Sequence, residues 1–154
     1  MGAITKTLYE TDFAEWAFHT AELLRRGDFQ DVDIENLVEE MESLGRSQRT
    51  SVQSQMRRLL VHVLKQRIQP ERSSTSWRIS IVNARKELMD FIEASPSLRR
   101  HLATSLPKIY RDAIDVALEE TQLAERAGEL DLAEECPYSV AELLEGDLKM
   151  LGGV

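Results

Sequence analysis

The sequence of 154 residues has few of the residues that interrupt or cross-link a chain, with one cysteine, four prolines and seven glycines. A single cysteine, Cys136, excludes an internal disulfide bond and favours a reducing compartment. The scarcity of glycine and proline argues against many short strands joined by turns. No window approaches 18 consecutive apolar residues, and the N-terminus lacks the apolar run of a signal peptide. We therefore predict a cytoplasmic protein with no membrane contact.

Recognisable catalytic motifs are also missing. Nothing resembles a glycine-rich phosphate loop or a Gly-x-Ser-x-Gly elbow. There is no Glu-x-x-His pair, which two-metal helical bundles use. Cys136 follows Glu135, whose charge raises the pKa of a neighbouring thiol and so disfavours a nucleophilic role. The sequence predicts no catalytic residue, no metal and no cofactor, and it favours a protein that is not an enzyme.

Apolar residues recur with helical spacing, and this periodicity organises most of the chain. A first helix begins at a cap, Thr11 or Asp12, and ends at Gly27. Apolar spacing then keeps nearly the same phase from about residue 33 to 67. This phase predicts one helix of roughly 50 Å, kinked at Gly45, rather than two helices.

The second half of the sequence predicts two more long helices and a short one. A break at residues 69–75 precedes a helix capped by Ser74 or Thr75. Ser95-Pro96 starts the next helix, which Pro107 should kink or split. A short helix follows Ser139 and covers residues 140–145.

The periodicity also predicts which side chains are buried. The second helix should bury the face formed by Leu37, Met41 and Leu44. The predicted stripe of the first helix contains Phe13, Trp16, Ala17, Thr20, Leu23 and Leu24.

Four amphipathic helices with short connections predict an all-α fold. We expect an antiparallel up-and-down four-helix bundle with a long second helix and a short C-terminal helix. The length fits one domain over residues 1–154, with frayed ends at residues 1–8 and 148–154.

Charge is unevenly distributed along the chain. The net charge is −8 for residues 1–45, +10 for residues 46–111 and −10 for residues 112–154. Our favoured interpretation is that the acidic ends pair with the basic middle, mostly at the surface. The alternative is that the basic middle binds nucleic acid, although the acidic whole and the lack of interleaved aromatic residues count against it.

Two further sets of residues are candidates for chemistry. Glu39 shares one helix face with Glu35 and Glu42, and such carboxylates could hold a metal, although a solvated face is more common. Arg57 and His62 have the Arg-x(4–6)-His spacing of the helical HEPN ribonucleases, in which a His acts in acid–base cleavage. Residues five apart point about 140° away from each other on a regular helix, which weakens this second candidate.

Arg72, Trp77 and Arg78 form the third candidate cluster, close to a tight break in the chain. A tryptophan and two arginines can form cation–π and carboxylate contacts. We expect them to act as a latch, with Trp77 filling the end of the bundle and an arginine holding the acidic ends. The alternative is a pocket or a docking site.

Several sequence stretches together resemble the bacterial domain-of-unknown-function family numbered twenty-nine. The resemblance covers about residues 8 to 147 and implies an all-helical protein without an established activity. Its main matching stretches are Tyr9-Glu10-Thr11-Asp12-Phe13 with Trp16, residues 20–25, residues 33–46, Leu59-Leu60 with His62 and Leu64-Lys65, Gln69-Pro70-Glu71-Arg72 with Ser76-Trp77-Arg78, Ser95-Pro96-Ser97-Leu98 and Cys136-Pro137-Tyr138.

The first hypothesis for function is a non-enzymatic interaction or scaffold bundle that docks a protein partner or a second copy of itself. The second is a nucleic-acid-binding protein, with HEPN-like ribonuclease activity through Arg57 and His62 as its enzymatic form. The third is a carboxylate metal-site protein. The candidate functional residues are Arg72, Trp77, Arg78, His62 and Glu39.

Overall fold

The computed structural model describes residues 8–152, and within this range every regular element is a helix. The all-α prediction is confirmed, and four of the helices are long. A helical turn at residues 8–11 precedes the first of them. The α-helices are α1 (Phe13–Arg26), α2 (Ile34–Ile68), α3 (Thr75–Ala94), α4 (Ser97–Thr121), α5 (Val140–Glu145) and α6 (Leu148–Gly152).

Polar side chains start several of these helices. The Asp12 carboxylate accepts a hydrogen bond from the Glu15 N–H at the start of α1, and the Ser74 hydroxyl accepts one from the Trp77 N–H at the start of α3. Ser139 and Glu142 form a reciprocal capping box on α5. Each contact satisfies an N–H group that has no partner within its own helix. At the other end of α1, Gly27 takes a φ of 80°, a left-handed conformation that favours glycine.

The long helix α2 is a single element, as the apolar phase predicted. It contains 35 residues, and Gly45 does not end it. All of its buried side chains lie between Val52 and Gln66. The first half of α2 therefore has no buried side chain, whereas the second half has all of them.

The chain divides into two compact units, Met1–Ser47 and Gln48–Val154. The single domain over residues 1–154 stays a prediction, and so does the place of α1 in an up-and-down bundle.

In the first unit, few side chains are buried. Asp33 caps α2, because its carboxylate accepts hydrogen bonds from the backbone N–H and the side-chain amide of Asn36. The rings of Tyr9, Phe13 and Trp16 contact one another, with centroids 4.9 to 5.9 Å apart. The buried residues are Trp16, Thr20, Leu23, Val32 and Asp33.

The predicted apolar stripes of this unit are wrong in part. Phe13 is 51% exposed, and Leu24 is also exposed. Met41 and Leu44, which the periodicity predicted to be buried, are 56% and 61% exposed. Periodicity identifies an apolar face, but burial requires another element to cover it.

In the second unit, the latter half of α2 packs with α3 and α4. Gln53 on α2 donates a hydrogen bond to Ser105 on α4, and further along both helices Lys65 binds Glu120. The two helices therefore run parallel to each other. The helix α3, which lies between them in the sequence, runs antiparallel to both. The core contains residues of α2 to α6, chiefly Met56, Leu59, Leu60, Leu64, Ile81, Leu88, Leu102, Tyr110 and Leu143.

Two local predictions are corrected in this unit. Pro107 does not split the helix, because α4 continues without a break from Ser97 to Thr121, and a kink at the proline stays a prediction. Because Pro107 and Ala103 are both exposed, water can reach the Ala103 carbonyl that the proline leaves without an N–H donor. At the C-terminus, residues 148–152 are not frayed but form α6, in which Leu151 is buried. The remaining predicted frayed residues, 1–7 and 153–154, lie outside the described range.

None of the helices between residues 8 and 152 combines the length and the apolar composition that crossing a membrane requires.

Candidate functional site

Trp77 lies over a buried lysine rather than beside the predicted arginines. The Lys65 ammonium is 4.7 Å from the centroid of the Trp77 ring and 2.7 Å from a carboxylate oxygen of Glu120. Lys65 is only 9% exposed. The ion pair and the cation–π contact together compensate the ammonium for the water that it loses. This Lys65–Trp77–Glu120 cluster joins α2, α3 and α4.

Arg72 and Arg78 do not form the predicted latch. Within residues 8–152, neither side chain makes an ion pair or a hydrogen bond with another side chain. Arg72 is exposed at the end of a 3-10 turn, Pro70–Arg72. Arg78 instead lines a pocket of about 270 Å³ together with Gln66, Ser73, Ile81, Leu148 and Lys149. Sequence reasoning missed Lys65 as the partner of Trp77, because twelve positions separate them in the sequence.

His62 lies one helical turn before Lys65 and is half-buried. Burial lowers the pKa of its imidazole, and the nearby Lys65 lowers it further, while Glu120 acts in the opposite direction. The buried Nδ1 atom has no hydrogen-bond partner among the described residues. The imidazole is therefore neutral near pH 7 and lacks the orienting partner that a catalytic histidine usually has.

Arg57 is not brought together with His62. Its side chain lines a groove between α2 and α4, and His62 does not line that groove. The charged groups near His62 are instead Lys65, Glu120 and Arg58. The helical spacing explains the separation, since five residues rotate the side chain by about 140°. The geometry gives the HEPN-like pair no common site.

Glu39 lies in the first unit and contacts a neighbouring arginine. Its carboxylate is 2.6 Å from Arg46 Nη2, and Glu42 is 3.3 Å from Arg46 Nη1. Both carboxylates are thus engaged by one guanidinium. Over residues 8–152, no group of three His, Cys, Asp or Glu side chains is placed to hold a metal ion.

The Cys136-Pro137-Tyr138 motif fastens the C-terminal segment to the second unit. The Tyr138 hydroxyl accepts a hydrogen bond from Arg67 at 2.7 Å and donates one to the Leu151 carbonyl at 3.1 Å. Burial raises the pKa of the Cys136 thiol, which keeps it protonated and unreactive. The motif therefore has a structural explanation.

The basic middle of the chain is only partly neutralised. Three of its cations pair with carboxylates of the acidic C-terminal stretch, in the pairs Lys65–Glu120, Lys108–Asp112 and Arg99–Glu145. The expected pairing of the acidic ends with the basic middle is therefore found for these three cations and for Arg46, which pairs with Glu39 and Glu42, but not for most other cations of the basic middle among the described residues. Eight cationic side chains make no ion pair and no hydrogen bond, to side chain or backbone, among the described residues, namely Arg49, Arg57, Arg58, Arg72, Arg78, Lys86, Arg100 and Arg111.

A basic groove collects several of these cations between the parallel helices α2 and α4. One part of it has a volume of about 430 Å³, and a second part of about 250 Å³ shares Thr104 with the first. We define the basic groove by the residues that line these two parts, which are Arg49, Thr50, Gln53, Ser54, Arg57, Ser97, Leu98, Arg100, His101, Thr104, Ser105, Lys108, Ile109 and Asp112.

The first unit carries an uncovered apolar surface. Ile34, Val38 and Met41 follow one another at helical spacing on one side of α2, and each is more than half exposed. We call these three residues the apolar face of α2. Leu44 lies at its edge, and Phe29 just before the helix is also exposed. Soluble monomers rarely leave such residues uncovered in a group, so the face is a candidate docking surface.

Comparison with known proteins identifies the family. The family model described as "Domain of unknown function DUF29" matches residues 8–148. The chain therefore belongs to this family, which confirms the resemblance inferred from the sequence. No functionally curated protein matches the sequence.

A solved structure has the same fold. It is the crystal structure, at 1.45 Å resolution, of an alpha-helical protein of unknown function from Rhodospirillum rubrum ATCC 11170. The two sequences are 26% identical, the match covers 94% of this chain and 95% of the other, and the TM-score is 0.67. The family and this relative are both described as of unknown function, so the similarity indicates no specific activity.

Proposed function

We propose that this member of the DUF29 family is a non-enzymatic interaction bundle of the cytoplasm, and that it docks a protein partner on the apolar face of α2. The observation that carries the proposal is the exposure of Ile34, Val38 and Met41, which form one continuous helical face. Burying large apolar side chains contributes about 1.5–3 kcal/mol each when it is complete. A partner that covers this face buries apolar side chains that are exposed to water in the isolated chain, and this burial favours binding.

The shape of the surface favours a helical occupant. Apolar residues spaced at i, i+4 and i+7 match the anchors through which amphipathic helices pack against each other. Ridges of one helix then fill the grooves of the other at a separation of 8–10 Å. A partner helix with its own apolar stripe fits the apolar face of α2.

Charge specifies the chemistry of that partner. Residues 1–45 carry a net charge of −8, so the stretch that contains the apolar face of α2 is acidic. Opposite charges at the rim of an interface favour association and select between partners. We therefore commit to a basic amphipathic helix, with lysine or arginine beside its apolar stripe, as the occupant.

Binding of a designed peptide tests this proposal. The probe is a fluorescent amphipathic helix of about 18 residues made of leucine and lysine, and a peptide with glutamate in place of lysine is its charge control. The Val38→Gln, Met41→Gln double variant should weaken binding of the lysine peptide by at least about tenfold, or 1.4 kcal/mol.

A matched control variant exists on α3. Ile79 and Val82 have the same spacing as Val38 and Met41 and similar exposure, so Ile79→Gln with Val82→Gln removes an equivalent surface elsewhere. This control should leave binding unchanged. Equal loss in both double variants, or equal binding of the glutamate peptide, would contradict the proposal. A dimer of the wild-type protein that the α2 variant dissociates would assign the face to a second copy instead.

A further inference from the structure

The basic groove has a length that suits an extended ligand. Its residues span 49–57 on α2 and 97–112 on α4. At 1.5 Å per residue, the α4 side is about 22 Å long. Because α2 and α4 run parallel, the two walls continue side by side rather than closing into a cavity. The groove is therefore an open channel and not a small-molecule pocket.

The charges along the groove have one predominant sign. Arg49, Arg57, Arg100 and Lys108 line it, and Asp112 is the single carboxylate among the lining residues. Asp112 pairs with Lys108 at 2.7 Å, which leaves three guanidinium groups without an ionic partner among the described residues. Arginine forms two parallel hydrogen bonds with a phosphate group, so these three exposed side chains are suited to bind phosphates.

The remaining lining residues are mostly small donors. Hydroxyl groups come from Thr50, Ser54, Ser97, Thr104 and Ser105. The Gln53 amide bridges the groove, because its nitrogen lies 3.2 Å from the Ser105 hydroxyl and 2.9 Å from His101 Nε2. Arginine, lysine, serine, threonine and glutamine are the side chains that bind phosphate oxygens in protein–nucleic acid complexes.

We infer that the basic groove binds the phosphate backbone of a nucleic acid duplex. Two apolar residues, Leu98 and Ile109, line the groove, and both are buried. Among the lining residues there is no Phe, Tyr or Trp, the large aromatic side chains on which single strands usually stack. The outer face of a duplex presents phosphates without bases, and that is the surface these donors match.

The acidic net charge of the protein is compatible with this binding. At physiological ionic strength, charges beyond about 8 Å are largely screened. A phosphate in the groove therefore responds mainly to the lining arginines. Contacts to phosphates alone carry no base information, so the binding is independent of sequence. The inference goes beyond the proposed protein docking, which uses α2 residues of the other unit.

Fluorescence anisotropy with a labelled duplex of about 20 base pairs tests the inference, using DNA and RNA of the same sequence as separate arms. The wild-type protein should bind at about 50 mM salt, and its log affinity should fall with log salt at a slope of roughly −3 for three phosphate contacts. The Arg57→Gln, Arg100→Gln double variant should reduce affinity by at least about tenfold and make the slope shallower by roughly 2.

The matched control removes the same charge outside the groove. Arg72 and Lys86 are exposed and lack ionic partners among the described residues, so Arg72→Gln with Lys86→Gln should change affinity less than about threefold. Circular dichroism confirms that both variants are folded. Absence of binding at low salt, or equal loss in the two variants, would overturn the inference. So would tighter binding of a single strand, or equally tight binding of a polyglutamate of the same length.

Discussion

Arg85 on α3 supplies hydrogen-bond donors to carbonyl groups at the C-terminal end of α5. Its guanidinium donates hydrogen bonds to the carbonyl groups of Leu143 and Gly146, both at 2.7 Å, and to that of Glu142 at 3.3 Å. The Leu143 carbonyl lies in the last turn of α5 and the Gly146 carbonyl just after it, where a helix has no N–H donors of its own, whereas the Glu142 carbonyl also accepts the Gly146 N–H at 2.8 Å. Burial lowers the pKa of Arg85, but arginine stays protonated in proteins.

At this residue scale, we predict that Arg85→Ala lowers the free energy of unfolding by about 1–3 kcal/mol, because the half-buried carbonyls lose their donors. Urea denaturation followed by circular dichroism at 222 nm measures the change. Lys86→Ala on the exposed side of the same helix is the control and should change the free energy by less than about 0.5 kcal/mol. Equal stability of Arg85→Ala and wild type would show that water replaces the guanidinium.

At the scale of single elements, α4 tolerates a residue that usually ends a helix. Pro107 lacks the N–H that would bond to the Ala103 carbonyl, and its ring crowds the preceding turn. The helix nevertheless continues to Thr121, where buried residues on both sides of Pro107, such as Leu102 and Ala113, hold it against the core. Tertiary packing thus outweighs a local preference of about 3 kcal/mol.

We predict that Pro107→Ala stabilises the protein by about 1–2 kcal/mol, because the missing hydrogen bond is restored. The gain is reduced by about 0.4–1 kcal/mol, since proline also restricts the unfolded chain. Thermal unfolding of the variant measures the effect. Thr104→Ala, on the same exposed turn, controls for helix propensity and should add at most about 0.7 kcal/mol. A lower melting temperature for Pro107→Ala would mean that the proline itself packs favourably.

At the scale of the whole molecule, the apolar core belongs to one unit. Every residue of the main core cluster lies between Val52 and Leu151, within Gln48–Val154. The first unit, by contrast, leaves the apolar face of α2 exposed, together with Leu44 at its edge. Burial of apolar surface is the main favourable term in folding, so stability should reside mostly in the second unit.

We predict that a fragment of residues 48–154 folds without the rest of the chain. It should retain the helical circular dichroism of α3 to α6 and of the latter part of α2, and unfold cooperatively in urea, with an m-value reduced in proportion to its smaller surface. The reciprocal fragment of residues 1–47 is the control. It should be largely unfolded, because chains below about 40–50 residues rarely stabilise a core without a staple. A non-cooperative transition for residues 48–154 would contradict this division.

The sequence alone determined the helical state of the chain and most helix ends. These depend on interactions between near neighbours, such as the Asp12 and Ser74 caps, Gly27 and the continuous apolar phase of α2. The sequence also identified the family, which implies the fold but does not indicate an activity.

Only the tertiary structure decided which faces are covered and which charges have partners. The partnership of Trp77 with Lys65 and Glu120, and the exposure of Met41, involve elements that lie far apart in sequence. Periodicity defines an apolar face without naming what packs on it, and a charge count does not state which ions meet. The separation of Arg57 from His62 and the gathering of Arg57 with Arg100 depend on how α2 and α4 pack.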